Sequence, residues 1–274
     1  MAETNDGKYI DADIMKKTFP AYEQAIGSEN YKCVEKAVRN SAASLAVAQY
    51  KQALCGKDVK SHKNAVLIVG LPGSGKSEMV KSHLSKVGAN QIFFEVHHFN
   101  SAKFKDYIGK ALDLKVVPVL AVAVSSPLET VKRHLATHMV TGVAPTTNQD
   151  FARLHMEQLS LLRDLHETFG NKVRLTVLDV SQPDNPKHGW KHLDKLEAQA
   201  DPDRLRADYS RAITQLFESG LISNHTQLRA FGQKPAADAK DFFLKIAQAS
   251  SQNTPADQVK SPDSPNKPKR SKMK

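Results

Sequence analysis

Residues 70–77 read GLPGSGKS and follow the apolar run NAVLIV and precede the helix-forming EMVKSHL. Gly70, Gly75, Lys76 and Ser77 fill the pattern G-x-x-x-x-G-K-[ST], and the strand–loop–helix context is the one its mechanism requires. Backbone N–H groups from about Gly73 to Ser77 can converge on phosphate oxygens, glycine permits the tight path, and the helix N-terminus adds its positive end. Pro72 has no N–H to lose. Lys76 is placed to bridge the β- and γ-phosphates and Ser77 to ligate Mg²⁺. The expected cradle is Gly70, Leu71, Pro72, Gly73, Ser74, Gly75, Lys76, Ser77 and Glu78, with ATP and Mg²⁺ as cofactors.

Phosphoryl transfer also needs a carboxylate near the γ-phosphate to take the acceptor's proton, and cations to hold the transferring group. The stretch YIDADIMKKTFPAY, residues 9–22, supplies Asp11 and Asp13. Alternating along a strand, only one can face a site, and Asp13 lies nearer the carboxyl edge where open α/β sheets bind ligands. Standing before IMKKTF, Asp13 also suits a helix N-cap. Glu95, within IFFEV, is expected to be a buried carboxylate, and such groups have either a partner or a task. His97 and His98 follow at the strand exit and can line an acceptor pocket. Lys16 and Lys17 read as solvated helix charges. The pairs His134/His138 and His188/His192 share a helix face but lack a third ligand and a glutamate, so they do not suggest a zinc site. Trp190 reads as a cover for a hydrophobic edge, with base stacking as its other use.

Positioning these groups requires strands. Ala65–Val69, Ile92–Val96, Val116–Val124 and Val173–Val180 are apolar runs with helical stretches between them, which predicts a parallel sheet covered on both faces. KYI adds a further candidate strand. Phe151–Phe169 is amphipathic and stops at Gly170; Pro202–Gly220 repeats the design with Leu205, Tyr209, Ile213, Leu216 and Phe217 inward. From Ser250 onward the chain is Pro, Ser and Lys with almost nothing apolar, which predicts a disordered basic tail. The net charge of +10 is uneven, since the last 24 residues carry six Lys/Arg against two Asp. Cys33 and Cys55, the two cysteines, lack metal-ligand spacing and suggest neither a disulfide framework nor a zinc site. An acidic N-terminus and the lack of an apolar run near ~18 residues point to a cytoplasmic protein not inserted in a membrane, with the basic tail leaving export as an effector open.

The IDAD…FPAY element resembles that of the zeta toxins, QIFFEVHHF resembles their acidic strand beside the substrate, and SSPLETVKRH resembles their lid helix. NKVRLTVLDVS resembles their last strand, and the likeness spans about residues 9–185. The resemblance implies a three-layer α/β P-loop kinase fold with a mainly parallel sheet, followed by a helical C-terminal region. It implies Asp13 as general base and, with Ser77, as metal contact; Glu95 as the group that positions the acceptor; and Arg133 on the nucleotide phosphates. It further implies a nucleotide-sugar acceptor, a UDP-linked N-acetylamino sugar, and an antitoxin partner that blocks the nucleotide site. Three departures stand out: the Asp element precedes the cradle, Val143 occupies the place of a second lid arginine, and VHH replaces the threonine after the glutamate. Arg153 is the nearest substitute arginine. The transposed strand is expected beside the cradle strand.

The domain organisation expected is 1–64 completing the kinase domain, 65–249 as its core with lid and C-terminal helices, and 250–274 as tail. Three other functions share the cradle. A polynucleotide 5′-hydroxyl kinase would need a basic channel with stacking aromatics, and only 7% of residues are aromatic. A catalytically weak nucleotide-binding module, exported or recruited through its basic tail, is the alternative that the missing second lid arginine supports. A hydrolytic motor would use Asp179, in LTVLDV, as second magnesium anchor, but that strand is the last one.

Overall fold

Alternating apolar runs and amphipathic stretches fold as βα units around one sheet. The computed structural model describes residues 8–26, 28, 30–55, 63–84, 91–141, 145–182 and 184–223. The strands are β1 (Tyr9–Asp11), β2 (Asn64–Gly70), β3 (Gln91–Glu95), β4 (Val117–Val124), β5 (Arg174–Asp179) and β6 (Lys187–His188). The helices are α1 (Ala12–Lys16), α2 (Pro20–Ala25), α3 (Tyr31–Cys55), α4 (Lys76–Leu84), α5 (Ser101–Asp113), α6 (Pro127–Thr141), α7 (Asn148–Phe169), α8 (Lys191–Ala198) and α9 (Pro202–Glu218).

Strand order is β1-β3-β2-β4-β5-β6, parallel throughout except for the antiparallel β5–β6 pair. The fold is therefore α/β with a mainly parallel sheet. The early strand does not slot in beside the cradle strand. β2 is flanked along its length by β3 and β4, so β1 takes the outer edge of β3, with Asp11 abreast of Glu95. The four longer strands match their apolar runs to within a residue or so, whereas β6, two residues long, has no signal in the hydrophobic pattern.

One face of the sheet, through Ile10, Leu67, Phe94, Leu120 and Val177, packs against α3, α5 and α7. In α3 the four-residue spacing of Ala42, Ala46, Tyr50 and Leu54 makes a single buried stripe. Tyr50 stacks on Phe94 at 4.7 Å and donates its hydroxyl to the Tyr107 carbonyl. The opposite face, through Val66, Ile68, Phe93 and Leu178, meets Met79 and Val80 of α4. Helix α7 ends where Gly170 adopts φ 51°, and α9 buries Tyr209, Ile213, Leu216 and Phe217. Trp190 packs on the core, donating to the Val173 carbonyl and stacking on His166, so its place is that of an edge cover. His188 lies on β6 and not on a helix, so it shares no helical face with His192. Among the described residues no helix is long and apolar enough to cross a membrane. The tail from Ser250 lies outside the described residues.

Strand β1 is held by three ladder positions and by the fully buried Ile10. Ile10→Ala should lower the unfolding free energy by about 2–4 kcal/mol in denaturant titration. A loss below about 0.5 kcal/mol would mean that the edge strand contributes nothing to the fold.

Candidate active site

The carboxyl ends of β1, β2 and β3 meet at the glycine loop, and the loop's conformation needs its glycines. Gly73 and Gly75 have φ of 72° and 83°. A Cβ at Gly73 would lie 2.8 Å from the His134 ring, and one at Gly75 would lie 2.9 Å from Val180 Cγ1. Lys76, buried at the start of α4, bends back so that Nζ donates to the carbonyls of Gly70 and Leu71 at 3.1 and 3.2 Å. Around this loop Ser74 Oγ, Arg133 Nη1 and His134 Nε2 are buried without a hydrogen-bond partner among the described residues. Polar atoms are seldom orphaned this way, and their clustering at a turn with converging N–H groups fits the phosphates of a nucleotide. The Ser77 hydroxyl beside a carboxylate fits a hard divalent cation.

That carboxylate is Glu95, 3% exposed at the end of β3. It accepts from Tyr9 Oη at 2.6 Å and from Ser77 Oγ at 3.2 Å, and Lys76 Nζ lies 3.7 Å away. Burial and then the Glu95 charge push the Tyr9 phenol far above its ordinary pKa, so it remains a donor. Neither Tyr9 nor the bond between Ser77 and Glu95 was visible in the sequence. The signal that could have found them is register, since YID laid against FFE brings Tyr9 and Asp11 to the acid.

The two early aspartates do not alternate along a strand. β1 stops at Asp11, whose Oδ1 accepts from the Asp13 amide and caps α1, so Asp11 is the N-cap and Asp13 sits in the helix's first turn. Asp11 is buried and pairs with His97 Nε2 at 2.6 Å. Burial disfavours the imidazolium, but the bond to Asp11 outweighs it and raises the His97 pKa. Asp13 is held by Lys16 at 2.7 Å, with its side chain 58% exposed. Burial opposes its charge, yet His97 and Lys16 prevail and hold the carboxyl below its usual range. Asp11, Glu95 and His97 form the one cluster of metal-type ligands among the described residues.

A cleft of about 820 Å³ joins these groups. It is lined by Gly70, Pro72, Gly73 and Gly75–Glu78 at the cradle, by Arg133 and His134 from α6, and by Asp13, Glu95 and His97–Phe99 on the other side. Arg133 reaches it with Nε 3.0 Å from Glu78 Oε2. Asp179 instead accepts from the Ser181 amide and hydroxyl in the turn after β5. Arg153 is bound to Asp150 and Glu157 on α7. Lys16 is not solvated, being buried between Asp13 and Glu35. Val143 lies outside the described residues. His134 Nδ1 is 2.9 Å from Tyr209 Oη, which itself donates to the Thr146 carbonyl.

No protein-family model matches the chain, and no curated protein matches it. Among solved structures, a chain from the PezAT chromosomal toxin–antitoxin system of Streptococcus pneumoniae is similar at 12% identity, with 75% of this chain and 96% of that chain covered and a TM-score of 0.34.

Burial holds the His134 pKa down at about 4, so the folded protein keeps this imidazole neutral while the unfolded chain takes up its proton near 6.5. Its contribution is therefore intact above pH 6.5 and lost as pH falls toward 4, by up to about 3 kcal/mol. In chemical denaturation across that window, His134→Gln should lose less stability than the parent chain. Parallel curves for the two would remove His134 as the acid-sensitive group.

Proposed function

We propose that the chain is an ATP-dependent kinase that phosphorylates a hydroxyl of a small molecule in the cytoplasm. The supporting observation is the meeting of Lys76, Ser77 and Glu95 at one sheet edge, in a cleft that Asp13 and Arg133 also line. When bound, the nucleotide supplies the phosphoryl group and Mg²⁺ adds positive charge at its oxygens. Lys76 and Arg133 concentrate positive charge where the transferring group must sit. Ser77 and Glu95, 3.2 Å apart, would hold the cation together. Glu95 thereby takes the role of second metal anchor in place of acceptor positioning, because its carboxylate points at Ser77. Asp13, at the cleft mouth with an exposed oxygen, takes the proton of the acceptor hydroxyl. Asp11 and His97 behind it fix the turn from β1 into α1 on which Asp13 stands. The resemblance to zeta toxins adds a nucleotide sugar as the acceptor to assay first and an antitoxin as the partner to seek.

Lys76→Ala should cut phosphoryl transfer by at least about 10³-fold. Its thermal unfolding should remain a single cooperative transition at a lower midpoint, since the Gly70 and Leu71 carbonyls lose a donor and the buried Glu95 loses one of the groups that offset its charge. Transfer at the parent rate by that variant would sink the kinase assignment.

A further inference from the structure

We propose that the free edge of β6 is a docking site for an acidic, extended segment of a partner protein, which adds to the sheet as a further strand. This surface is independent of the kinase reading. A groove of about 670 Å³ opens between the start of β5 and the entry to α8, and it shares no lining residue with the cleft. The cleft lies at the carboxyl ends of β1, β2 and β3, whereas the groove lies at the amino end of β5. Every charged or titratable group that lines the groove is basic: Arg174, His188 and Lys191. All three are exposed, as is Lys187 beside them, and among the described residues none of the four forms an ion pair. The carboxylates of α8, Asp194 and Glu197, are both held by Arg163. Asp184, in the turn before β6, lies outside the lining. Asp179 stands at the other end of β5, about 16 Å from Arg174 by the rise of a strand. Desolvation, and then the charges of Lys191, Lys195, Lys187 and His188, hold the His192 pKa below its ordinary value, which marks the region as positive.

Backbone geometry selects a peptide. Among the described residues β6 is the outermost strand, and its Thr176↔His188 and Val177↔Lys187 pairing sends the Gly189 N–H to the Leu175 carbonyl at 2.8 Å. In that antiparallel register the N–H and C=O of His188 point away from β5, where an added strand pairs with them. Arg174, Thr176 and His188 share one face of the sheet, and Lys187 lies on the other, so an added strand meets cations on both faces. Lysine on an edge strand ordinarily keeps other strands away. Here the same charge decides which strand is admitted, one that carries carboxylates. Trp190, fixed by its bond to the Val173 carbonyl and its stacking on His166, gives the groove a rigid apolar wall. A polynucleotide matches the charge but has no complement for the outward His188 groups, and Trp190 is the one Phe, Tyr or Trp side chain among the lining residues on which a base could stack.

Full-length protein is titrated, with fluorescence anisotropy as the readout, into two labelled heptapeptides, one alternating Glu with Val and the other Lys with Val, and into an oligothymidylate of the same charge as the first. The acidic peptide should bind at least about tenfold more tightly than the basic one. The last 24 residues also carry six Lys/Arg, so the groove is tested directly. Arg174→Glu combined with Lys191→Glu should weaken the acidic peptide about tenfold or more, on the scale of two reversed surface pairs. His188→Ala keeps the outward N–H, whereas His188→Pro removes it and leaves the ladder to β5, so proline should weaken binding at least about threefold beyond alanine. Saturating ATP and Mg²⁺ should leave the affinity within about twofold, because groove and cleft share no residue. No binding, equal binding of the two peptides, unchanged binding by the double variant, or displacement by ATP overturns the proposal. Equal effects of alanine and proline overturn strand addition, and equal or tighter binding of the oligothymidylate overturns the peptide as the partner.

Discussion

One buried carboxylate governs the site. Glu95 carries its charge at 3% exposure, and an uncompensated charge so deep would be strongly unfavourable. Four neighbours offset it: the Tyr9 phenol from β1, the Lys76 ammonium and Ser77 hydroxyl from the start of α4 after β2, and His97, 3.7 Å away on the segment that follows β3. Glu95 therefore acts as a tie between the ends of three strands. The same geometry that makes its burial tolerable sets Ser77 and a carboxylate side by side, as a hard cation requires.

Edge placement of β1 follows from that tie and has a consequence for Asp13. Because β1 lies outside β3, its last residue stands abreast of Glu95, and the chain turns into α1 at the point where both acids face the loop. Helix α1 is then pinned to α3 through Lys16, Glu35 and Arg39, so the first helical turn has a fixed direction. A short strand, a capping aspartate and an ion-paired helix together bring a residue 63 positions before the cradle lysine into the cleft which that lysine lines.

The sheet and the cradle were legible because both are written in local pattern: apolar runs of strand length, and glycines at positions whose φ only glycine adopts readily. Asp11 and Asp13 were misread because period-two reasoning presumes that a strand continues. Asp11 ends the strand by capping a helix, so the residue two further on obeys helical geometry. β6 is two residues long, too short for any period to register. The His134–Tyr209 bond joins residues 75 apart in the chain, and only tertiary packing brings them together. Likewise, the choice of partner for β1 depended on which edge of the sheet was free, and no single segment carries that information.

The two cations at the cradle differ in how they are held, and the difference assigns them different parts. Lys76 is buried, and its bonds to Gly70 and Leu71 carbonyls keep it within the loop. It is in place before any phosphate arrives. Arg133 pairs with Glu78, whose side chain is 62% exposed, and such surface pairs are weak and easily exchanged for a better anion. Its Nη1 is meanwhile buried without a partner. An arginine with one weak bond and one unmet donor gains on meeting a phosphate oxygen, whereas Glu78 gains water. Because the next residue, His134, is anchored beneath by Tyr209, the backbone of α6 stays fixed and the exchange needs only the Arg133 side chain to turn.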